Sequence, residues 1–197
     1  MVLRVLYRKA GILIGFVPLI VYGVLAGSSV SSVTRALAAA FVITIFVGYA
    51  DLRKGLVLSW ANLVIFGCAL VAIGILGMDG IIPYMGILIY AALAAVTFGS
   101  ILARKPFTLQ YARGMVDMAL WKNPRFIRLN VLMSGIWGGI FLVNLGLSAA
   151  ALVAPGSAGH VAQVATYFVL VAGIAFTIWF PEHMRKTSAP AATQDTM

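Results

Sequence analysis

RKPFTLQYARGMVDMALWKNPRFIR, residues 104–128, separates two apolar runs, 81–103 and 130–153, each long enough to cross a hydrocarbon core. It carries six of the fourteen Lys and Arg residues of the chain, Arg104, Lys105, Arg113, Lys122, Arg125 and Arg128. What those cations face decides the fold. A nucleic-acid site would need an exposed basic groove, and a chain of 197 residues with 62% hydrophobic and 10% charged residues has little polypeptide to build one from. Soluble domains average roughly 45–50% apolar and 25% charged. The net charge of +9 therefore belongs at the ends of membrane spans, beside anionic headgroups, and no nucleic-acid partner is expected.

Working outward from this segment, the sequence predicts an all-α, polytopic bundle of six transmembrane helices forming one domain, residues 1–186. The spans fall at about 11–27, 33–50, 56–77, 81–103, 130–153 and 161–180. At 1.5 Å per residue such runs match the roughly 20 residues that a span needs. A charged start before an apolar run also describes a signal peptide, with a cleavage region near Gly27, but five further spans favour a retained first helix. Pro18 lies inside that helix and is expected to kink it. Trp60 sits near the start of the third span, where its indole can meet both lipid and water. Residues 187–197 are polar and expected to be a disordered cytoplasmic tail.

Orientation follows from the basic residues. With a cytoplasmic N-terminus, Arg4, Arg8, Lys9, Arg53, Lys54, the six in 104–128, Arg185 and Lys186 lie inside, and Arg35 lies outside, thirteen against one. Both termini are then cytoplasmic, and a plasma membrane is the expected location.

Within 104–128, Phe107, Tyr111, Met115, Met118 and Trp121 recur at helical spacing, which predicts a helix over about 107–121 lying in the cytoplasmic interface. Gly114 weakens that helix. Asn123 can cap a new helix with Pro124 at its first position. The candidate surface for lipid or partner contact is Lys105, Tyr111, Arg113, Trp121, Arg125 and Arg128. Inside the spans, Asn62 and Asn144 are expected to act as interhelical hydrogen-bond contacts. Ala91, Ala95 and Gly99 make a smooth stripe for close helix approach, and Gly11/Gly15, Gly23/Gly27 and Gly135/Gly139 form GxxxG spacings. The single cysteine, Cys68, allows no internal disulfide, and His160 and His183 fall on opposite sides of the membrane. No catalytic, cofactor-binding or metal-binding residues are expected, because no nucleophile elbow, phosphate loop, HExxH or paired carboxylates occur. An enzyme is not expected, and neither is a cofactor.

The order of features resembles the intracellular septation protein A family, small inner-membrane proteins of Gram-negative bacteria. The residues that carry the likeness are Phe16, Pro18 and Leu19; Ile89, Tyr90, Ala91 and Ala92; Lys105 and Pro106; Leu129 and Asn130; Trp137, Phe141 and Asn144; and His183 with Met184. The chain departs from the family in the central segment, where PFTLQYAR and MVDMALWKNPRFIRLN are similar to a set of uncharacterised bacterial integral membrane proteins. It thus looks like a divergent relative. The resemblance implies a structural or interaction role in septation or envelope maintenance, through membrane lipids and other envelope or division proteins, with no catalytic residues to carry over. The alternative is a small transporter or channel for an uncharged or lipid-like solute, lined by Tyr22, Asn62, Tyr90 and Asn144.

Overall fold

A computed structural model describes residues 2–154 and 156–187, with the side chains of 13–154 and 156–180. These residues are helical throughout, with turns between helices and no strand among them. The order is α1 (Val2–Leu25), α2 (Val30–Phe46), a short α3 (Tyr49–Arg53), α4 (Val57–Leu70), α5 (Met85–Leu102), α6 (Phe107–Arg113), α7 (Pro124–Val153) and α8 (Ser157–Thr187). A π-helical turn, Val71–Ile75, prolongs α4, and a 3-10 turn, Asp79–Tyr84, leads into α5. Four helical stretches are long and apolar enough to cross a membrane: Val57–Ile75, Asp79–Leu102, Pro124–Val153 and Ser157–Phe180. That is the mark of a transmembrane protein. Two shorter apolar stretches, Leu13–Leu25 and Val30–Phe46, stand beside them.

The packing runs α1 against α2, α2 against α4, α4 against α5, α5 against α7, and α7 against α8. Large apolar side chains point both inward and outward, as a helix does when lipid replaces water around it. Val64, Leu88, Leu132, Val143, Phe168 and Val171 are exposed, while Phe16, Phe66, Leu93, Trp137 and Phe141 are buried. The centre is aromatic. Phe16 of α1 stacks on Trp137 of α7 at 4.1 Å between ring centroids, and Phe141 sits 6.3 Å from Phe16 and 5.6 Å from Trp137. The indole N–H of Trp137 donates to the hydroxyl of Thr177 on α8 at 3.0 Å. Trp137 is wholly buried without leaving its one donor unpaired.

Glycine permits close approach at two of the motif positions, Gly15 against Leu58 and Gly23 against Tyr167, and at others outside the motifs. A Cβ on Gly173 would lie 2.6 Å from Ile140 and 3.3 Å from the Trp137 ring, and one on Gly138 would lie 2.7 Å from Phe98. Gly135 and Gly139 have nothing within 4 Å, so that GxxxG pair makes no contact here. The Ala91, Ala95, Gly99 stripe is also corrected. Ala95 and Gly99 are exposed, and α5 buries Met85, Ile89, Tyr90, Leu93, Ala94, Thr97 and Ser100 instead. That is the face carrying the larger side chains, which bury more apolar surface per residue than a small-residue groove does. Residues 188–197, most of the expected disordered tail, lie outside the described residues, and Thr187, its first residue, is in α8.

Candidate functional site

Ala103 ends α5, and Arg104 turns the chain with a left-handed φ of 56°. The N–H of Lys105 then reaches back to the carbonyl of Ser100 at 2.9 Å, the closing bond of a Schellman cap. Pro106 cannot continue the helix and starts a new one, α6, that does not lie along the surface. Phe107, Thr108, Leu109 and Tyr111 are all buried. The segment PFTLQYAR is folded into one end of the bundle.

Its polar groups tie it to α4, α5 and α7. The Phe107 N–H donates to Ser100 Oγ of α5 at 3.1 Å. Thr108 Oγ1 donates to the Asn130 carbonyl of α7 at 2.7 Å and shares a second hydrogen bond, 2.9 Å, with Ser134 Oγ. Gln110 Oε1 accepts from the Val57 N–H at 3.0 Å, so a side chain 53 residues away caps α4, whose first N–H groups have no partner within their own helix. Gln110 Nε2 donates to the Lys105 carbonyl at 3.1 Å, which fixes the amide's orientation. Tyr111 Oη shares a 3.2 Å hydrogen bond with Ser59 of α4. It also abuts α1, because a Cβ on Gly15 would lie 2.9 Å from that oxygen. Asn62, one turn along from Ser59, donates to the Gly15 carbonyl at 2.7 Å. Seven side chains, Ser59, Asn62, Ser100, Thr108, Gln110, Tyr111 and Ser134, thus clamp α1, α4, α5 and α7 together.

The expected helix over 107–121 is therefore replaced by two pieces. α6 stops at Arg113, and Asp117 caps a single 3-10 turn, Met118–Leu120, by accepting from the Ala119 N–H at 3.0 Å. Gly114 ends α6, as the low helix propensity of glycine allows, and the apolar residues before it find protein rather than lipid. Tyr111 is withdrawn from the candidate surface: it is 5% exposed. Lys105, Arg113, Arg125 and Arg128 are exposed, and Trp121 is half-buried. Trp121 donates its indole N–H to the Arg113 carbonyl at 3.1 Å, with the Arg113 guanidinium 5.6 Å from its ring, a cation–π arrangement that closes the loop on itself. Asn123 caps α7 by accepting from the Arg125 N–H at 2.9 Å, with Pro124 first in the helix, as the sequence predicts.

No protein-family model, curated protein or solved structure matches this chain. Its site is defined by its own geometry.

Two polar residues at this end matter beyond the cations. Trp60 donates its indole N–H to the Leu52 carbonyl at 3.1 Å rather than to solvent. Asp51, in α3, is 4% exposed, with Oδ2 lacking a partner among the described residues. Burial raises its carboxyl above the ordinary range, and nearby Lys54 opposes that shift. The burial of Asp51 follows from α2, α3 and α4 closing around it. Of the two candidate intramembrane contacts, Asn62 is paired as described. Asn144 is 0% exposed, and neither its Nδ2 nor its Oδ1 has a partner among the described residues. Among those residues no group of three or more His, Cys, Asp or Glu gathers to hold a metal.

Proposed function

We propose that the protein is an integral membrane protein of the bacterial envelope with a structural or interaction role. In this proposal α1 and α2 complete a six-span bundle with both termini cytoplasmic. The 17 residues of α2 rise about 25 Å, short for a span unless polar flanks or local thinning make up the difference. The observation that carries the role is the inward-folded 106–113 segment. It fixes four helices to one another and leaves Lys105, Arg113, Arg125 and Arg128 displayed on the outside, with Trp121 packed against Arg113. A basic surface on a fixed base suits anionic lipid headgroups and the acidic or aromatic side chains of a partner membrane protein. The resemblance to the septation protein A family points to the same kind of role.

The aromatic centre favours this role over transport. Phe16, Trp137 and Phe141 fill the space between α1 and α7, and Asn62 is committed to the Gly15 carbonyl. One of the groups that would line a solute path, Asn62, is thereby engaged in holding helices together.

Cysteine placed at 113 or 125 tests the orientation: it should react with an impermeant maleimide in inverted vesicles and not in right-side-out ones. Photocrosslinkers at the same positions in native membranes should capture one recurrent membrane protein. Replacing Arg125 and Arg128 with Gln should abolish that capture without lowering the melting temperature. Capture of bulk lipid alone would overturn the interaction role.

A further inference from the structure

The buried amides and hydroxyls of this bundle mostly close on a backbone carbonyl. Asn62 reaches Gly15, Asn130 reaches Phe126 one turn back in its own helix at 2.8 Å, and Thr44 reaches Ala40 at 2.8 Å. Asn144 and Ser148 break this pattern. Both are buried on the same face of α7, and neither Asn144 Nδ2, Asn144 Oδ1 nor Ser148 Oγ has a partner among the described residues. Each has a carbonyl one turn back, that of Ile140 or of Asn144 itself, and neither uses it. A carboxamide with donor and acceptor both unpaired is costly in a medium without water.

Register shows what surrounds them. Gly138 meets Phe98 and Ser148 meets Gly86, so α5 and α7 run antiparallel with known alignment. One turn from the Ser148 contact, Asn144 comes level with Tyr90, which is buried. On the other side, Gly173 of α8 packs on Trp137. Seven residues on along α7 and seven back along antiparallel α8 bring Asn144 level with Thr166, which is 0% exposed. Thr166 donates its own hydroxyl to the Gln163 carbonyl at 2.7 Å, so α8 brings a buried side-chain oxygen to the same level. Phe141, one turn from Asn144, separates it from the Phe16 and Trp137 stack.

We propose that Asn144 and Ser148, with Tyr90 and Thr166 beside them, form an intramembrane binding site for a small neutral hydroxyl-bearing guest. The chemistry selects that class. The guest must accept from Nδ2 and donate to Oδ1 at once, which a hydroxyl does and a monatomic ion does not. All four side chains are uncharged, so they offer no counter-charge to a desolvated ion. A water molecule, or one hydroxyl of a short polyol, meets both demands.

Solid-state NMR on the full chain in lipid bilayers tests this. Val143 followed by Asn144 is a pair that occurs once in the sequence, so 13C-valine and 15N-asparagine labelling identifies Asn144 without any substitution. Its side-chain amide should receive magnetisation from water protons within milliseconds, while that of Asn62, bonded to Gly15 and 2% exposed, should not. Added 13C-glycerol distinguishes the sources: glycerol contacts replacing the water signal identify a polyol site, and a persisting water signal identifies bound water. An Asn144 amide that contacts neither probe would overturn the proposal. So would an Asn144→Leu protein that melts higher than wild type, the result expected when an unpaired amide is simply removed.

Discussion

Gly15→Ala is the sharpest probe of the clamp around α6. The added methyl carbon would sit 2.8 Å from Leu58 Cδ2 and 2.9 Å from Tyr111 Oη, both closer than real contacts allow. Tyr111 must then move off Ser59, and the Asn62 bond to the Gly15 carbonyl shifts with the backbone. Overpacking costs about 1–3 kcal/mol, and losing the buried hydrogen bond about 1 kcal/mol more. Alanine returns about 1 kcal/mol in helix propensity, leaving a net loss of about 1–3 kcal/mol. Gly99→Ala is the control, since nothing lies within 4 Å of its added Cβ, and it should gain about 1 kcal/mol. The two variants should therefore differ by about 2–4 kcal/mol, about 30-fold or more in unfolding equilibrium constant. Reversible unfolding in mixed micelles, followed by circular dichroism, measures both. Tyr111→Phe should destabilise the wild type and yet recover part of the loss in the Gly15→Ala background, because it removes one of the clashing atoms. A Gly15→Ala protein as stable as Gly99→Ala, or a Tyr111→Phe change that simply adds to it, would refute the packing described here.

Two other substitutions test the same end of the bundle. Thr108→Val keeps shape but removes the bonds to Asn130 and Ser134, and it should cost about 1–3 kcal/mol in the same unfolding assay; an unchanged midpoint would mean α6 is not anchored through this hydroxyl. Asp51 has a carboxyl raised in the folded state, so the fold is favoured below the unfolded value near 3.8 and loses stability as pH rises from there through the raised value. Asp51→Asn should thus melt higher than wild type at pH 7 and the same at a pH below both values, and equal melting at pH 7 would show the carboxylate to be solvated.

Much of the helix placement was legible because it depends on local chemistry. Asn123 and Pro124 announce the start of α7 with a polar cap and a missing donor, and the bonds found are the ones those residue types make. The apolar runs at 56–77 and 81–103 became Val57–Ile75 and Asp79–Leu102 within two residues at either end, since charged turns and glycines punctuate them. The 106–113 segment was misplaced for a definable reason. Phe107 and Tyr111 at helical spacing specify an apolar face, and that face is equally satisfied by lipid or by protein. Gln110 gave no sign of its partner, as the N–H it caps belongs to a residue 53 positions earlier.

By itself, then, the sequence determined that the chain is helical and membrane-spanning in character, and roughly where its helices begin and end. Hydrocarbon leaves a backbone no other way to satisfy its hydrogen bonds along a single segment. Tertiary structure alone decided which face of each helix meets another helix. Around a membrane bundle, lipid and core are both apolar, so hydrophobicity does not tell them apart. It was the contacts of Gly15 with Leu58 and Tyr111, of Gly173 with Trp137, and of Thr108 with Asn130 that turned PFTLQYAR from an interfacial helix into the clamp of the fold.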